Sequence, residues 1–450
     1  MVAIALLRSG RSRYKESTSL GYYLKQDFLL LVLQEFSKMN IHSVILTLNL
    51  LFSLNKCSAF PRQSKSRLLE LELKRMPVEE KFIKRDGSAR ELDLYNQAYS
   101  GLLNVIISIG KEGQDMFFVA DTGLSDIWVV AQNSVYCDIE NGTTPANHTA
   151  NISENTFAFK NHALPCYLAD VFEVDYSTSI VSNNTDFFTQ FYDYTFVSGT
   201  WYQDTIEAGS IIIEKFNFGA ARETNATIGS LSLGLEGNEI TNEGDYAYTY
   251  ENFPDKLKNS GMIKRVIYSI YAGKIDTEDG SLLFGAVEHS RYVGDTLYTL
   301  PLVNVNNASG DPAEFHVTLK NLVVSVNKTN TTITSDRYAA LLNTSAIVTY
   351  LPKNLFSDFI KKIGLSESQK YYGMYITDCS SGISFSYDFG GFKIESLNDY
   401  LFEIDESEIP GAKCAVTTSS NDEKYLVLGS GFFFSAYVVF DLERLEVSIA

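Results

Sequence analysis

The chain has 450 residues, 45% of them hydrophobic and 20% charged, which is enough to bury a sizeable core and excludes bulk disorder. Charge is uneven: residues 1–85 hold 15 of the 37 Lys+Arg and 7 of the 55 Asp+Glu, leaving residues 86–450 with 22 and 48, a net of −26. A surface of that sign repels phosphate backbones, which argues against nucleic acid, and it attracts basic peptides, the chain's own leader included.

In chain order, a basic tract (Arg8, Arg11, Arg13, Lys15) precedes a short apolar run from Phe28 to Leu33. Met39 then opens MNIHSVILTLNLLFSLNKCSAFP, whose apolar centre leads to small residues at Cys57, Ser58 and Ala59. This reads as a secretory signal over 39–59, too short and too punctuated to span a membrane. Residues 1–38 are then an upstream extension, with a long leader starting at Met1 as the rival reading. Residues 60–85 are basic and end in Lys84-Arg85, which reads as a propeptide with a dibasic processing site; a solvated linker is the alternative. The folded domain is expected over 86–450.

From residue 94 onward, short apolar runs rich in Tyr, Phe, Val, Ile and Thr alternate with Gly, Asn, Asp and Ser. They include LLNVIISIG (102–110), MFFVADTG (116–123), GSIIIEKFNFG (209–219) and TLKNLVVSV (318–326). That spacing predicts an all-β architecture. Two short amphipathic helices are predicted in FPDKLKNSGMI (253–263) and PKNLFSDFIKKIG (352–364). FFVADTGLSDIWVV (117–130) and AALLNTSAIVTYLP (339–352) share one form, apolar strand, Asp/Asn-Thr-Gly/Ser turn, second apolar strand, so two related lobes are expected, about 95–270 and 271–450.

Beyond Cys57, the four cysteines Cys137, Cys166, Cys379 and Cys414 allow three pairings, of which the local one gives each half a bridge. No cysteine spacing and no cluster among the 5 His predicts a metal site. Nine N-x-S/T sequons follow residue 85: Asn141, Asn147, Asn151, Asn183, Asn225, Asn307, Asn327, Asn330 and Asn343. The C-terminus shows no lipid-anchor pattern.

Asp121-Thr122-Gly123 alone reads as a plain turn. Its place directly after a strongly apolar strand is more telling, because a carboxylate there is costly unless hydrogen-bonded or used. Together with SGTWYQDTI (198–206), YENFPDKLKNSGMI (250–263), GSLLFGAVEHSRY (280–292), LYTLPLV (297–303) and LGSGFFFSAYVVFDLE (428–443), it resembles the pepsin-like aspartic peptidases, in their yapsin, barrier-protease and candidapepsin branch. The resemblance spans roughly 95–448 and implies a bilobal fold with a peptide-binding cleft between two related β-lobes. It also implies no cofactor, a monomer, and the local bridges Cys137–Cys166 and Cys379–Cys414.

The chemistry the resemblance implies needs one aspartate from each lobe. Close carboxylates share a proton; one activates water and the other polarises the scissile carbonyl. Asp121 supplies one. Its partner position holds Asn343, whose amide hydrogen-bonds but exchanges no proton in this pH range. Ser345 stands where the family has a turn glycine that can need positive φ. Ala346 and Leu124 stand where it has hydroxyls, and Phe191, with Tyr192 and Tyr194 beside it, where the flap carries a tyrosine reaching Trp128. Thr122 and Thr344, which buttress the two loops in the family, are both present. The expected protein is therefore a homologue of an aspartic endopeptidase, secreted with cell-wall association as an option, catalytically impaired, that takes peptides, including basic ones. The alternatives are a slow peptidase working through Asp121 near basic residues, and a structural glycoprotein. A cleft lined by Trp128, Phe191 and Tyr350 favours the first two. Asn343 also completes the sequon Asn343-Thr344-Ser345, read as incidental because a cleft floor is a poor glycan acceptor.

Overall fold

In a computed structural model, the described residues are 74–75, 88–96, 101–132, 171–191, 195–242, 247–273, 280–294, 296–306, 310–371, 373–396, 402–404, 411 and 413–450. All belong to one compact unit, Arg67–Ala450. The expected upstream extension, the signal peptide, Lys84-Arg85, Tyr192, Tyr194 and the Cys137–Cys166 segment lie outside the described residues, as do Asn141, Asn147, Asn151 and Asn307.

The fold is mostly β. Its largest sheet has 15 strands and draws on both halves of the chain. Tyr298–Pro301, Glu446–Ile449, Val438–Asp441, Ile267–Tyr271 and Gly280–Phe284 lead through Arg90–Asn96 into Leu103–Ile109, Gln114–Asp121, Gly229–Ser232 and Trp128–Ala131. It ends in the long hairpin strands Ile211–Thr224, Phe196–Ala208 and Val181–Gln190. A five-stranded sheet and two four-stranded sheets build the rest of the C-terminal half. Leu103–Ile109 shows why these segments are strands: Leu103, Val105, Ile107 and Ile109 recur at period two and are all buried.

Both predicted helices form, shorter than their apolar patterns. Phe253–Asn259 is capped by the Asn252 side chain, which accepts from Asp255 N, and carries Pro254 in its first turn. Lys353–Lys362 buries Leu355, Phe359 and Ile360 and stops before Gly364, whose φ of 77° suits glycine.

The internal echo is a repeated unit. In the N-terminal half, Gln114–Asp121 pairs in parallel with Gly229–Ser232, which meets the next strand at Ser230↔Trp128. In the C-terminal half, Tyr338–Leu342 pairs in parallel with Leu426–Leu428, which meets the next strand at Val427↔Tyr350. Behind both lies one aromatic-rich core in which Tyr268 stacks on Phe440 at 4.9 Å and Phe315 tilts against it at 4.6 Å. Each such buried ring is worth roughly 1.5–3 kcal/mol, so the two turn-bearing loops stand on a rigid base. Cys379 and Cys414 are bridged, with Cα atoms 4.9 Å apart, as the local pairing required.

Candidate active site

Each repeat delivers a loop at the end of its first strand. Asp121 is the last residue of Gln114–Asp121, and Asn343 directly follows Tyr338–Leu342. The loops are tied by reciprocal bonds. Thr122 N donates to Thr344 Oγ1 at 3.0 Å, and Thr344 N donates to Thr122 Oγ1 at 3.1 Å. Each hydroxyl then donates onward, Thr122 to Leu342 O at 2.8 Å and Thr344 to Ala120 O. Thr122 is 2% exposed and Thr344 0%, so every one of these groups would be orphaned if its partner were lost.

This lattice brings Asp121 and Asn343, 2% and 3% exposed, to one place. Asp121 Oδ1 accepts Gly123 N at 2.7 Å, and Asn343 Oδ1 accepts Ser345 N at 2.9 Å, the same turn made twice. The second turn has a further side-chain bond: Ser345 Oγ also donates to Asn343 Oδ1, at 2.8 Å. Such a pair of strand-end loops, one carrying a carboxylate and each bonded to the other through a threonine, is what the sequence motifs anticipated. A comparison with protein families matches residues 104–450 to the eukaryotic aspartyl protease family.

The chain belongs to that family. It is 32% identical to aspartic proteinase MKC7 of Saccharomyces cerevisiae over 412 residues, covering 81% of this chain and 68% of the relative. It is 31% identical to aspartic proteinase yapsin-3 of the same yeast, covering 82% and 69% of the two chains. An acid protease of Saccharomycopsis fibuligera is 30% identical, covering 91% and 99%.

The expectation that the turn position held by Ser345 can need a positive φ is corrected. Neither Gly123 nor Ser345 has one. Gly123 is required for space instead, because a Cβ there would stand 2.3 Å from Asn343 Nδ2. Ser345 sits in the matching turn with its Cβ accommodated and its hydroxyl used.

In this aspartyl protease-family chain, the two positions expected to lack hydroxyls are resolved differently. Ala346 is buried in an apolar cluster with Leu341 and Val427. Leu124 is half-buried, and its carbonyl accepts Gly234 N at 2.7 Å. Asp121 instead meets a hydroxyl that the sequence reading missed, Ser230, whose Oγ lies 3.3 Å from Oδ2. The one available signal was the alternation of GSLS at Gly229–Ser232, which puts Ser230 and Ser232 on the same buried face. Also missed was a polar cluster behind the loop. Asp126 accepts from Tyr250 OH at 2.7 Å and from Ile240 N at 2.8 Å. Glu239 is 2% exposed and accepts from Tyr250 N at 2.8 Å, while its Oε1 has no partner. Burial, then the nearby Asp126 carboxylate, push the Glu239 carboxyl up to about 8.

Phe191 lies at the end of the hairpin made by Val181–Gln190 and Phe196–Ala208, and its N–H closes the turn on Thr195 O at 2.8 Å. It packs against a cluster holding Trp128, Phe187 and Trp201. Trp128 Nε1 is buried there without a hydrogen-bond partner, as a neighbour lacking a hydroxyl leaves it. Tyr350, the third residue expected to line the cleft, comes from the other half of the chain. It packs with Leu341, Ala346 and Val427 in the other half, at the position equivalent to Trp128. Of the sequons, Asn183, Asn225, Asn327 and Asn330 are exposed, whereas Asn343 is buried. Among the described residues no group of His, Cys, Asp or Glu could hold a metal ion, and no helix is long and apolar enough to cross a membrane.

Proposed function

We propose that this chain is a secreted glycoprotein of the aspartyl protease family that binds peptides in its cleft and hydrolyses them poorly or not at all. The observation that carries the reading is Asn343: it stands where the second loop turns, symmetric with Asp121, and its Oδ1 is already taken by Ser345 N and Oγ. Hydrolysis in such a site calls for one group to take a proton from water while another gives one to the scissile carbonyl. Asp121 can do one of these. An amide does neither, and general acid–base catalysis is worth about 10²–10⁴ in rate. Because paired groups act as a unit, losing one removes most of that factor. The intact threonine lattice supports a preserved cleft floor, and the aromatic cluster with Phe191 supports a preserved flap. The exposed Asn183, Asn225, Asn327 and Asn330 support passage through a glycosylating compartment. The acidic mature segment favours basic peptides.

A second reading, slow hydrolysis through Asp121 alone, is favoured by one observation: that carboxyl keeps a turn N–H and a hydroxyl as partners. One experiment separates the two. Processed protein, Asp121→Asn and Asn343→Asp are incubated with a library of basic-residue peptides across roughly pH 3–7. Silence in the parent and cleavage by Asn343→Asp, raised by about 10²-fold or more, is the expected result. Parent cleavage that disappears in Asp121→Asn establishes the second reading instead. Silence in both parent and revertant would overturn the view that a single proton carrier is what the cleft lacks.

A further inference from the structure

The floor beneath Asp121 holds two hydroxyls whose hydrogens can be counted. Ser232 Oγ lies 2.6 Å from Asp126 O, and a carbonyl only accepts, so the Ser232 hydrogen is placed there. Ser232 Oγ must therefore accept in its other contact, at 2.9 Å from Ser230 Oγ. Ser230 has one hydrogen and two oxygens to satisfy, Ser232 Oγ at 2.9 Å and Asp121 Oδ2 at 3.3 Å. With Asp121 ionised, one of these contacts has no hydrogen in it, and oxygen faces oxygen. With a solvent proton on Oδ2, Asp121 donates to Ser230, Ser230 to Ser232, and Ser232 to the Asp126 carbonyl, so that each contact holds one hydrogen. Ser230 is 2% exposed and Ser232 0%, so water does not supply the missing one.

We infer that Ser230 and Ser232 are positioning residues that hold Asp121 as a proton donor into the floor, through a chain of hydroxyls that is complete only when Asp121 is protonated. This deepens the reading of Asp121 as the cleft's working carboxyl. It gives the lone carboxyl a protonated state that does not depend on a second carboxylate, since the proton is directed at the Ser230 hydroxyl. A hydroxyl that merely donated to an ionised Asp121 would act in the opposite sense. The titratable groups around this floor are Asp126 on the same loop, Tyr250 and Glu239 behind it, and Tyr268 on Ile267–Tyr271, whose hydroxyl donates to Leu233 O at 3.0 Å. All of them stay in place in the variants below.

The test is a carboxyl-13C NMR titration of the processed chain across roughly pH 2–9, with the Asp121 signal assigned by its loss in Asp121→Asn. Ser230→Ala and Ser232→Ala each lower the Asp121 midpoint by about one pH unit, because the proton acceptor is removed in the first and the Ser230 hydrogen is freed for the carboxylate in the second. Ser230→Thr, which keeps the hydroxyl, titrates like the parent. An unchanged or raised midpoint in either alanine variant overturns the proposal. Each variant decides by itself, so failure of one to fold leaves the other decisive. No cleavage enters the readout, so the result stands apart from whether the chain hydrolyses peptides.

Discussion

The two halves of the site share a backbone and differ in what lies beneath it. Thr122 and Thr344 make mirror-image bonds, and Gly123 N and Ser345 N close the same turn on Asp121 and Asn343. Beneath the first loop stand Asp126, Ser230 and Ser232, all buried and hydrogen-bonded. At the matching places beneath the second stand Val348, Val427 and Gly429, with Val348 2% and Val427 1% exposed. Most buried polar groups in a folded protein have hydrogen-bond partners, and an unpaired one is costly. The comparison teaches that the threonine lattice forms without a carboxylate in the second loop, whereas the polar floor follows the half that carries one. Asn343, whose amide is neutral at any working pH, has its Oδ1 satisfied by its own loop.

The comparison can be broken first at the lattice. Thr122→Val orphans Thr344 N–H and Leu342 O, and Thr344→Val orphans their counterparts. Each is expected to cost about 3 kcal/mol in urea unfolding, equally if the lattice is symmetric. The turns come next. Gly123→Ala places a methyl against Asn343 and is expected to cost roughly 2 kcal/mol and to displace that side chain. Ser345→Ala removes one hydrogen bond from Asn343 Oδ1 and costs about 1 kcal/mol.

The asymmetry of the floor has a pH signature. Glu239 is raised from 4.5 to about 8, so between those values the folded chain binds more protons than the unfolded one. Stability therefore falls as pH rises through that window. Glu239→Gln keeps an acceptor for Tyr250 N–H and cannot ionise, and its thermal midpoint is expected to be flatter from pH 5 to about 8 than that of the parent. A parent midpoint that does not fall across this window would contradict the buried neutral carboxyl.

Much of this was legible in the sequence. The strands announced themselves by short apolar runs between turn residues, the second helix by Pro352 and Gly364, and the repeat by Asp121-Thr122-Gly123 and Asn343-Thr344-Ser345. The partners of those triplets were less so. Ser230 is 109 residues from Asp121 and Glu239 is 11 from Tyr250, and only the parallel pairing of Gly229–Ser232 beside Gln114–Asp121 explains why a Gly-Ser-Leu-Ser stretch is a buried strand and not a turn. Gly123 was singled out as part of its triplet without a reason, because the neighbour that forbids a side chain there, Asn343, comes from the other loop. Trp128 and Tyr350 were both named as cleft residues, but that they occupy equivalent places in the two halves is shown only by the strand pairing.

The burial of Asn343 also bears on the order of events in folding. Its side chain sits beside Gly123 under the crossed threonine bonds, where an oligosaccharide has no room, so a sugar on this sequon and a closed lattice exclude one another. Wherever the chain is made in a glycosylating compartment, sugar transfer and folding compete for the same asparagine, and a modified copy is a dead end for the closed form. Asn343→Asp therefore changes two things at once, restoring a carboxyl and deleting the acceptor. Ser345→Ala also deletes the acceptor, with loss of the Ser345 hydroxyl bond to Asn343 Oδ1, and restores no carboxyl. A gain in folded yield common to both variants measures that competition, and activity gained only by the first measures the missing proton.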